Sequence, residues 1–143
     1  MRKVLLIEDD GALKRDLIKD LTENGLEVKS ANSYVAAIDR WQENKGEFDC
    51  IILDLNMKPD GIDEIAYSKY FPVHGIVFLN KICEEITPEE QTKIWEKTII
   101  YSGYIDTLRD MKSDFNYFNV LTLIPKEATS QFRLLDEVKK MIK

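Results

Sequence analysis

The sequence predicts an α/β fold in which five parallel strands form a doubly wound sheet with helices on both faces. Two observations carry this prediction. Apolar runs alternate with helical stretches along all 143 residues, and turn signals such as Gly25 and Gly46 separate them. Residues 4–7 and 48–55 are also apolar enough for strands buried on both faces. Ligands of such sheets bind at the carboxyl ends of the strands.

Five segments have the pattern of strands. The first and third suit the buried centre of a parallel sheet, and the second alternates like a strand nearer an edge. The five segments are residues 4–7, 26–31, 48–55, 97–103 and 118–124.

Three further segments carry apolar side chains at helical spacing. The first, residues 12–24, ends before Gly25, which is a stop signal. Ser33 can cap the second, which closes by Gly46, and residues 134–142 have the stripe of a final amphipathic helix.

The segment after the third strand is too long for one loop and one helix. Residues 75–79 fit either a helix or a strand, because periodicity over so few residues does not separate the two. Thr87 as N-cap, Pro88 at the first helical position and Glu90 three residues after the cap predict a short helix. We therefore expect an insertion at residues 58–74 and an extra helix before the fourth strand.

Composition excludes several classes of function. The net charge of -6 offers no basic face for nucleic-acid phosphates. No apolar run reaches the roughly 20 residues that cross a bilayer. The apolar stretch near the N-terminus is short and ends in acids, so we expect no signal peptide. Cys50 and Cys83 lack the spacing of a metal-binding motif, and we expect them to be reduced, buried thiols. We expect a cytoplasmic protein with one domain, residues 1–143, that binds neither nucleic acid nor membrane.

Acidic residues follow two of the predicted strands. Glu8 and Asp9 come directly after the first strand, and Asp54 lies near the end of the third. Those strands are typically neighbours in a doubly wound sheet, so their ends open on one crevice. Three carboxylates repel one another there unless a cation lies between them, and such oxygen ligands suit Mg²⁺. The sequence therefore predicts a magnesium site.

The other strand ends add a hydroxyl and a positive charge. Ser102 closes the fourth strand, and Lys126 follows the fifth. With the acids and a metal they would form a site for a phosphoryl group, whose oxygens are neutralised while a carboxylate attacks in line. Asp54 is the candidate nucleophile, since carboxylates form acyl phosphates.

These motifs resemble the receiver domain of bacterial two-component response regulators. The runs VLLIEDD, IILDLNM and IIYSG and the lysine after the fifth strand occur in the family's order, and the resemblance covers essentially the whole chain. It implies a flavodoxin-like sheet of order 2-1-3-4-5. It also implies that Asp54 is the phosphoacceptor. Asp9, Asp54 and the backbone carbonyl of Asn56 would hold Mg²⁺, with Glu8 assisting through water.

The resemblance also implies roles for the remaining residues and for partners. Ser102 would be the switch hydroxyl, and Lys126 would pair with the phosphoryl charge. A histidine kinase or phosphotransfer protein would donate the phosphoryl group, so the chain would not be an enzyme. We expect no DNA-binding segment after residue 143 and output through contact with a downstream protein target. The sequence leaves open a longer parent regulator and the oligomeric state.

Two residues near the fifth strand depart from the family pattern. Pro125 precedes Lys126, whereas the family has lysine before proline. Leu123 stands where the family has a switch aromatic, and the aromatics beside the serine are Tyr101 and Tyr104.

The spacing is a third departure. Asp54 and Ser102 are 48 positions apart, which exceeds the family norm by the length of a secondary-structure element. The insertion at residues 58–74 could cover the site or form a partner surface. It contains the only histidine, His74, which we expect to be a structural loop residue.

Each site residue also has a less specific interpretation. Asp54 could cap a turn, and Glu8 and Asp9 could form an acidic cluster favoured by a helix dipole. Ser102 before a glycine is an ordinary turn residue, and Lys126 could be a solvated surface lysine.

Two other functions fit part of the pattern. A degenerate receiver would bind partners without phosphorylation, as the departures allow. A phosphatase of the haloacid dehalogenase type also uses an aspartate nucleophile, a hydroxyl, a lysine and Mg²⁺. That family has a second acid two residues after the nucleophile, where this chain has Asn56, which cannot protonate a leaving group.

Overall fold

The computed structural model describes residues 1–143 and contains a five-stranded, all-parallel sheet of order β2-β1-β3-β4-β5. The strands are β1 (Lys3–Ile7), β2 (Glu27–Ala31), β3 (Cys50–Leu53), β4 (Thr98–Ser102) and β5 (Thr122–Pro125). The predicted doubly wound sheet is therefore confirmed. The strand order reverses between β1 and β3, so a crevice opens at the carboxyl ends of these two strands.

Seven helices cover the sheet, and alternate strand residues face two separate cores. The helices are α1 (Gly11–Glu23), α2 (Tyr34–Glu43), α3 (Glu64–Tyr70), α4 (Ile76–Ile82), α5 (Pro88–Glu96), α6 (Ile105–Asp110) and α7 (Ser130–Met141). The core of 12 buried residues packs against α1 and α7 and includes Val4 and Leu6 of β1. The core of 22 buried residues includes Leu5 and Ile7 and packs against α2, α4, α5 and α6.

Two helices begin at the caps that the sequence predicts. The Ser33 hydroxyl accepts the N–H of Ala36 at 3.1 Å and starts α2. The Thr87 hydroxyl accepts the N–H of Glu90 at 3.2 Å and donates to the Glu90 carboxylate at 3.0 Å. This capping pair satisfies an N–H group at the start of α5 that has no partner within the helix.

The region after β3 contains three helices. The sequence allowed a helix or a strand for residues 75–79. Gly75 is the N-cap of α4 and residues 76–79 are its start, with Ile76 and Leu79 buried in the larger core. The insertion, residues 58–74, contains α3, which begins where the Asp63 carboxylate accepts backbone N–H groups. None of the seven helices has the length and apolar content needed to cross a membrane.

The predicted boundaries are wrong around the fifth strand. Residues 118–120 form a 3-10 turn, and β5 begins only at Thr122. Phe118 and Val120 alternate with polar residues as in a strand, but Val120 is exposed and pairs with no neighbour strand. Helix α6 was not predicted, because six residues are too short for a helical repeat to stand out. Helix α7 begins at Ser130, four residues before the predicted start.

Candidate functional site

The carboxyl ends of β1 and β3 bring the three predicted acids together. Ile7 pairs in register with Leu53, so the next residues of the two strands, Glu8 and Asp54, lie side by side. The N–H of Asp54 donates to the carbonyl of Ile7 at 3.0 Å. Carboxylate oxygens of Glu8, Asp9 and Asp54 all lie within 4.8 Å of one another. This separation is short enough for one metal ion to lie among the three side chains.

Lys126 reaches the same cluster, even though Pro125 precedes it. Its Nζ lies 2.6 Å from Glu8 Oε1 and donates to Asp54 Oδ2 at 3.2 Å. The N–H of Lys126 donates to the carbonyl of Ser102 at 3.1 Å, which fixes the lysine at the end of β5. The pairing of β5 with β4 therefore brings the ammonium group to the acids with Pro125 before Lys126.

The cluster carries more negative charge than one lysine neutralises. Glu8 and Asp54 are 1% and 5% exposed, and Asp9 is more accessible. Burial and then the Asp54 carboxylate raise the pKa of Glu8 to about 7, against the opposing effect of Lys126. Burial lowers the pKa of Lys126, but its contacts with Glu8 and Asp54 more than offset this and raise it. Such a donor set fits a hard divalent cation.

Glu8 gives the metal-free protein a distinctive pH dependence. Its pKa of about 7 lies above the 4.5 of an unperturbed glutamate, so the folded state binds the proton more tightly. The stability from this group is present below pH 4.5 and is lost as the pH rises through 7. We expect the unfolding free energy of wild type minus that of Glu8→Gln to fall by up to ~3 kcal/mol over this range. Urea unfolding in EDTA measures it, and a constant difference would contradict it.

Asp10, the third acid of the run LLIEDD, is a helix cap and not a member of the carboxylate cluster. Asp10 caps α1, because its carboxylate accepts the N–H of Leu13 at 3.1 Å. The N–H of Asp10 in turn donates to Glu8 Oε2 at 3.1 Å. Only Glu8 and Asp9 of the three acids therefore join the cluster around Asp54.

Ser102 is fully buried at the end of β4, where its hydroxyl accepts the N–H of Tyr104 at 3.1 Å. It makes no hydrogen bond with Asp54. Of the two neighbouring tyrosines, Tyr101 is buried in the α1 and α7 core, and its hydroxyl is hydrogen-bonded to Ser130 at 2.9 Å. Tyr104 is 40% exposed at the start of α6, so of the two tyrosines it is the one whose side chain can change rotamer without disturbing a core.

The end of the insertion lies against the loop that leaves β3. We call residues 54–57 the exit loop and residues 72–75 the clamp segment. The Asn56 side-chain amide donates to the Pro72 carbonyl at 3.3 Å. A Cβ on Gly75 would lie 2.7 Å from the carbonyl oxygen of Asp54, so only glycine allows this approach. No sequence pattern indicates this contact, since one glycine in an irregular segment predicts no particular neighbour.

The fold and the site together define a receiver domain. The family model for the response regulator receiver domain matches residues 4–98, about two thirds of the chain. This protein belongs to that family. The match includes the acids Glu8, Asp9 and Asp54, whereas Ser102 and Lys126 lie beyond it. No curated protein matches the sequence.

Solved receiver structures share the fold. The non-phosphorylated receiver domain of HemR from Leptospira biflexa has a TM-score of 0.69 at 19% identity and covers 100% of this chain and 95% of its own. TrrA from Thermotoga maritima in complex with Mg²⁺ and BeF has a TM-score of 0.65 at 19% identity, with 99% of each chain covered. A structure of histidine kinase ThkA in complex with TrrA matches with a TM-score of 0.66 at 20% sequence identity, and the match covers 100% of each chain.

Proposed function

We propose that this receiver accepts a phosphoryl group on Asp54 from the phosphohistidine of a histidine kinase or phosphotransfer protein. One observation carries the proposal. Buried Asp54 lies within 4.8 Å of two other carboxylates, and the Lys126 ammonium lies 3.2 Å from its oxygen. This is the arrangement that phosphoryl transfer needs, with a nucleophile beside a metal site and a fixed positive charge.

The residues fit Mg²⁺ as the metal. Asp9, Asp54 and the backbone carbonyl of Asn56 would be its ligands, with Glu8 acting through water. The Asn56 carbonyl accepts no hydrogen bond within the protein, which leaves it available as a ligand. When bound, Mg²⁺ supplies neutralisation of the phosphoryl oxygens. The buried excess of carboxylates supports this choice, since oxygen ligands select hard cations.

The chain's own groups account for the transfer step. An oxygen of Asp54 forms the new bond to phosphorus as the bond from phosphorus to the donor imidazole breaks, and the imidazole nitrogen keeps the electron pair. Lys126 then pairs with an oxygen of the phosphoryl group. The Ser102 hydroxyl turns from the Tyr104 N–H toward another oxygen, and the start of α6 shifts between two states.

Intact-mass measurement tests the proposal. Incubation with acetyl phosphate and Mg²⁺ is expected to add one phosphoryl group per chain, and EDTA is expected to prevent it. A degenerate receiver would gain no mass with any donor. A phosphatase would consume many equivalents of donor, whereas a receiver turns over slowly. The Asn56 amide, which cannot act as an acid, supports the receiver over the phosphatase.

Asn56 and Tyr104 flank the approach of the water that would hydrolyse the acyl phosphate. The Asn56 side chain is tied to Pro72, and Tyr104 is partly exposed at the rim. We expect Asn56→Ala and Tyr104→Ala each to change the dephosphorylation rate several-fold while changing Mg²⁺ affinity less. The decay of phosphorylated protein, followed by mass, gives the rate. Equal changes in rate and affinity would count against these roles.

The partners and the setting follow from the same proposal. The ThkA–TrrA complex, in which a receiver of this fold is bound to a histidine kinase, supports a kinase as the phosphodonor. We propose that residues 1–143 act as one receiver domain and that a downstream protein reads the phosphorylated state. The unpaired, buried thiols of Cys50 and Cys83 fit a cytoplasmic setting.

A further inference from the structure

The clamp segment anchors the exit loop on both sides of one carbonyl group. The Leu55 carbonyl accepts the N–H of Gly75 at 2.7 Å, and the Met57 carbonyl lies 2.6 Å from His74 Nε2. The carbonyl of Asn56, between them, accepts no hydrogen bond. Because each peptide unit is planar, fixing the two flanking units restricts the direction of the one in the middle.

The hydrogen bond to the Met57 carbonyl is the one polar contact of the His74 side chain, which is otherwise surrounded by aromatic rings. The residue is 2% exposed, and its ring lies 4.9 Å from the ring of Tyr67 and stacks on Phe71 at 5.9 Å. A carbonyl only accepts, so Nε2 carries the proton that bonds to Met57. Nδ1 is buried without a partner. That orphan nitrogen costs free energy that a phenyl ring would not, so packing alone does not explain a histidine here.

We propose that His74 is a positioning residue for the metal site. Its Nε2–H holds the Met57 carbonyl, and this sets the direction of the Asn56 carbonyl beside Asp54. The N–H of Asn56 is already tied to Asp54 Oδ1 at 3.3 Å, so the exit loop has little other freedom. The insertion thereby tunes Mg²⁺ affinity and, through it, phosphorylation. This inference rests on the proposed function, because it assumes that the Asn56 carbonyl is a ligand.

Calorimetric titration of the unphosphorylated protein with Mg²⁺ tests the inference. His74→Phe keeps the ring packing and removes the donor, and we expect it to weaken Mg²⁺ binding about tenfold. In His74→Gln the side-chain amide can donate from near the position of Nε2. We expect it to bind within about threefold of wild type.

Val73→Ala is the matched control. Val73 is fully buried in the larger core next to His74, so its truncation removes core packing and leaves the hydrogen bond to Met57 in place. We expect Val73→Ala to lower the unfolding temperature and to leave Mg²⁺ affinity near that of wild type. Equal weakening by Val73→Ala and His74→Phe, or no weakening by His74→Phe, would overturn the inference.

A second measurement uses wild-type protein and does not depend on how the variants fold. In nuclear magnetic resonance spectra we expect the Nε2–H signal of His74 to shift when Mg²⁺ is added, and an unchanged signal would overturn the inference. The two proposals can fail separately. If wild-type protein binds no Mg²⁺, the proposed function is contradicted as well. If wild type binds Mg²⁺ and His74→Phe binds it equally tightly, only the positioning role is contradicted.

Discussion

Replacing Asp54 by asparagine is expected to abolish phosphoryl uptake completely. Asparagine keeps the size of the side chain but offers an amide, which does not form an acyl phosphate. Incubation with acetyl phosphate and Mg²⁺, followed by intact-mass measurement, should show one added phosphoryl group in wild type and none in Asp54→Asn.

A matched control separates this effect from a general loss of charge. Asp39 is exposed on α2, so Asp39→Asn removes one negative charge outside the cluster and should phosphorylate as wild type does. Uptake that persists in Asp54→Asn would place the phosphoryl group on another residue. If Asp54→Asn and Asp39→Asn lost phosphoryl uptake equally, Asp54 would have no role that an exposed aspartate lacks.

Replacing Lys126 by methionine is expected to be the most destabilising change at the site. The ammonium lies between two buried carboxylates, and its loss leaves them to repel each other without compensation. Breaking a buried ion pair from one side typically costs 3–5 kcal/mol, but Glu8, with a pKa of about 7, can take up a proton instead. We therefore expect a loss of ~2–3 kcal/mol in unfolding free energy at neutral pH without metal.

The cause can be checked by a double substitution. Adding Glu8→Gln removes one of the two charges that Lys126 balances, so the double variant should recover at least half of the lost stability. Mg²⁺ should also stabilise Lys126→Met more than wild type, since a cation can replace the lost charge. Lys19→Met, at an exposed position of α1, should change stability little. Strictly additive effects of the two substitutions would show that the residues are not coupled.

Local patterns along the chain predicted the elements that carry a clear signal. Residues 4–7 of β1 and all of β3 are buried, continuous apolar runs, and the Ser33 and Thr87 caps start helices where they were expected. The same patterns misplaced the start of β5, because Phe118 and Val120 alternate like strand residues but belong to a 3-10 turn. Periodicity reports which side chains can share a face, and it does not report whether a partner strand lies alongside.

Part of the candidate site followed from the sequence for the same reason. Parallel strands end at one edge of a sheet, so Glu8, Asp9 and Asp54 could be placed together before any distance was known. The reach of Lys126 did not follow from the sequence, because Pro125 and Lys126 stand in the inverse of the family's order. The backbone hydrogen bond to Ser102 and the register of β5 decide its reach.

By itself the sequence determined the order of the five strands, the helices α1, α2, α5 and α7, and the acids at the strand ends, since these depend on side-chain type and spacing within each segment. Only the tertiary structure decided that the clamp segment lies on the exit loop, with His74 bonded to the Met57 carbonyl 17 residues away. That contact joins the loop after β3 to the segment between α3 and α4. No local pattern encodes it, because its energy depends on how separate elements meet.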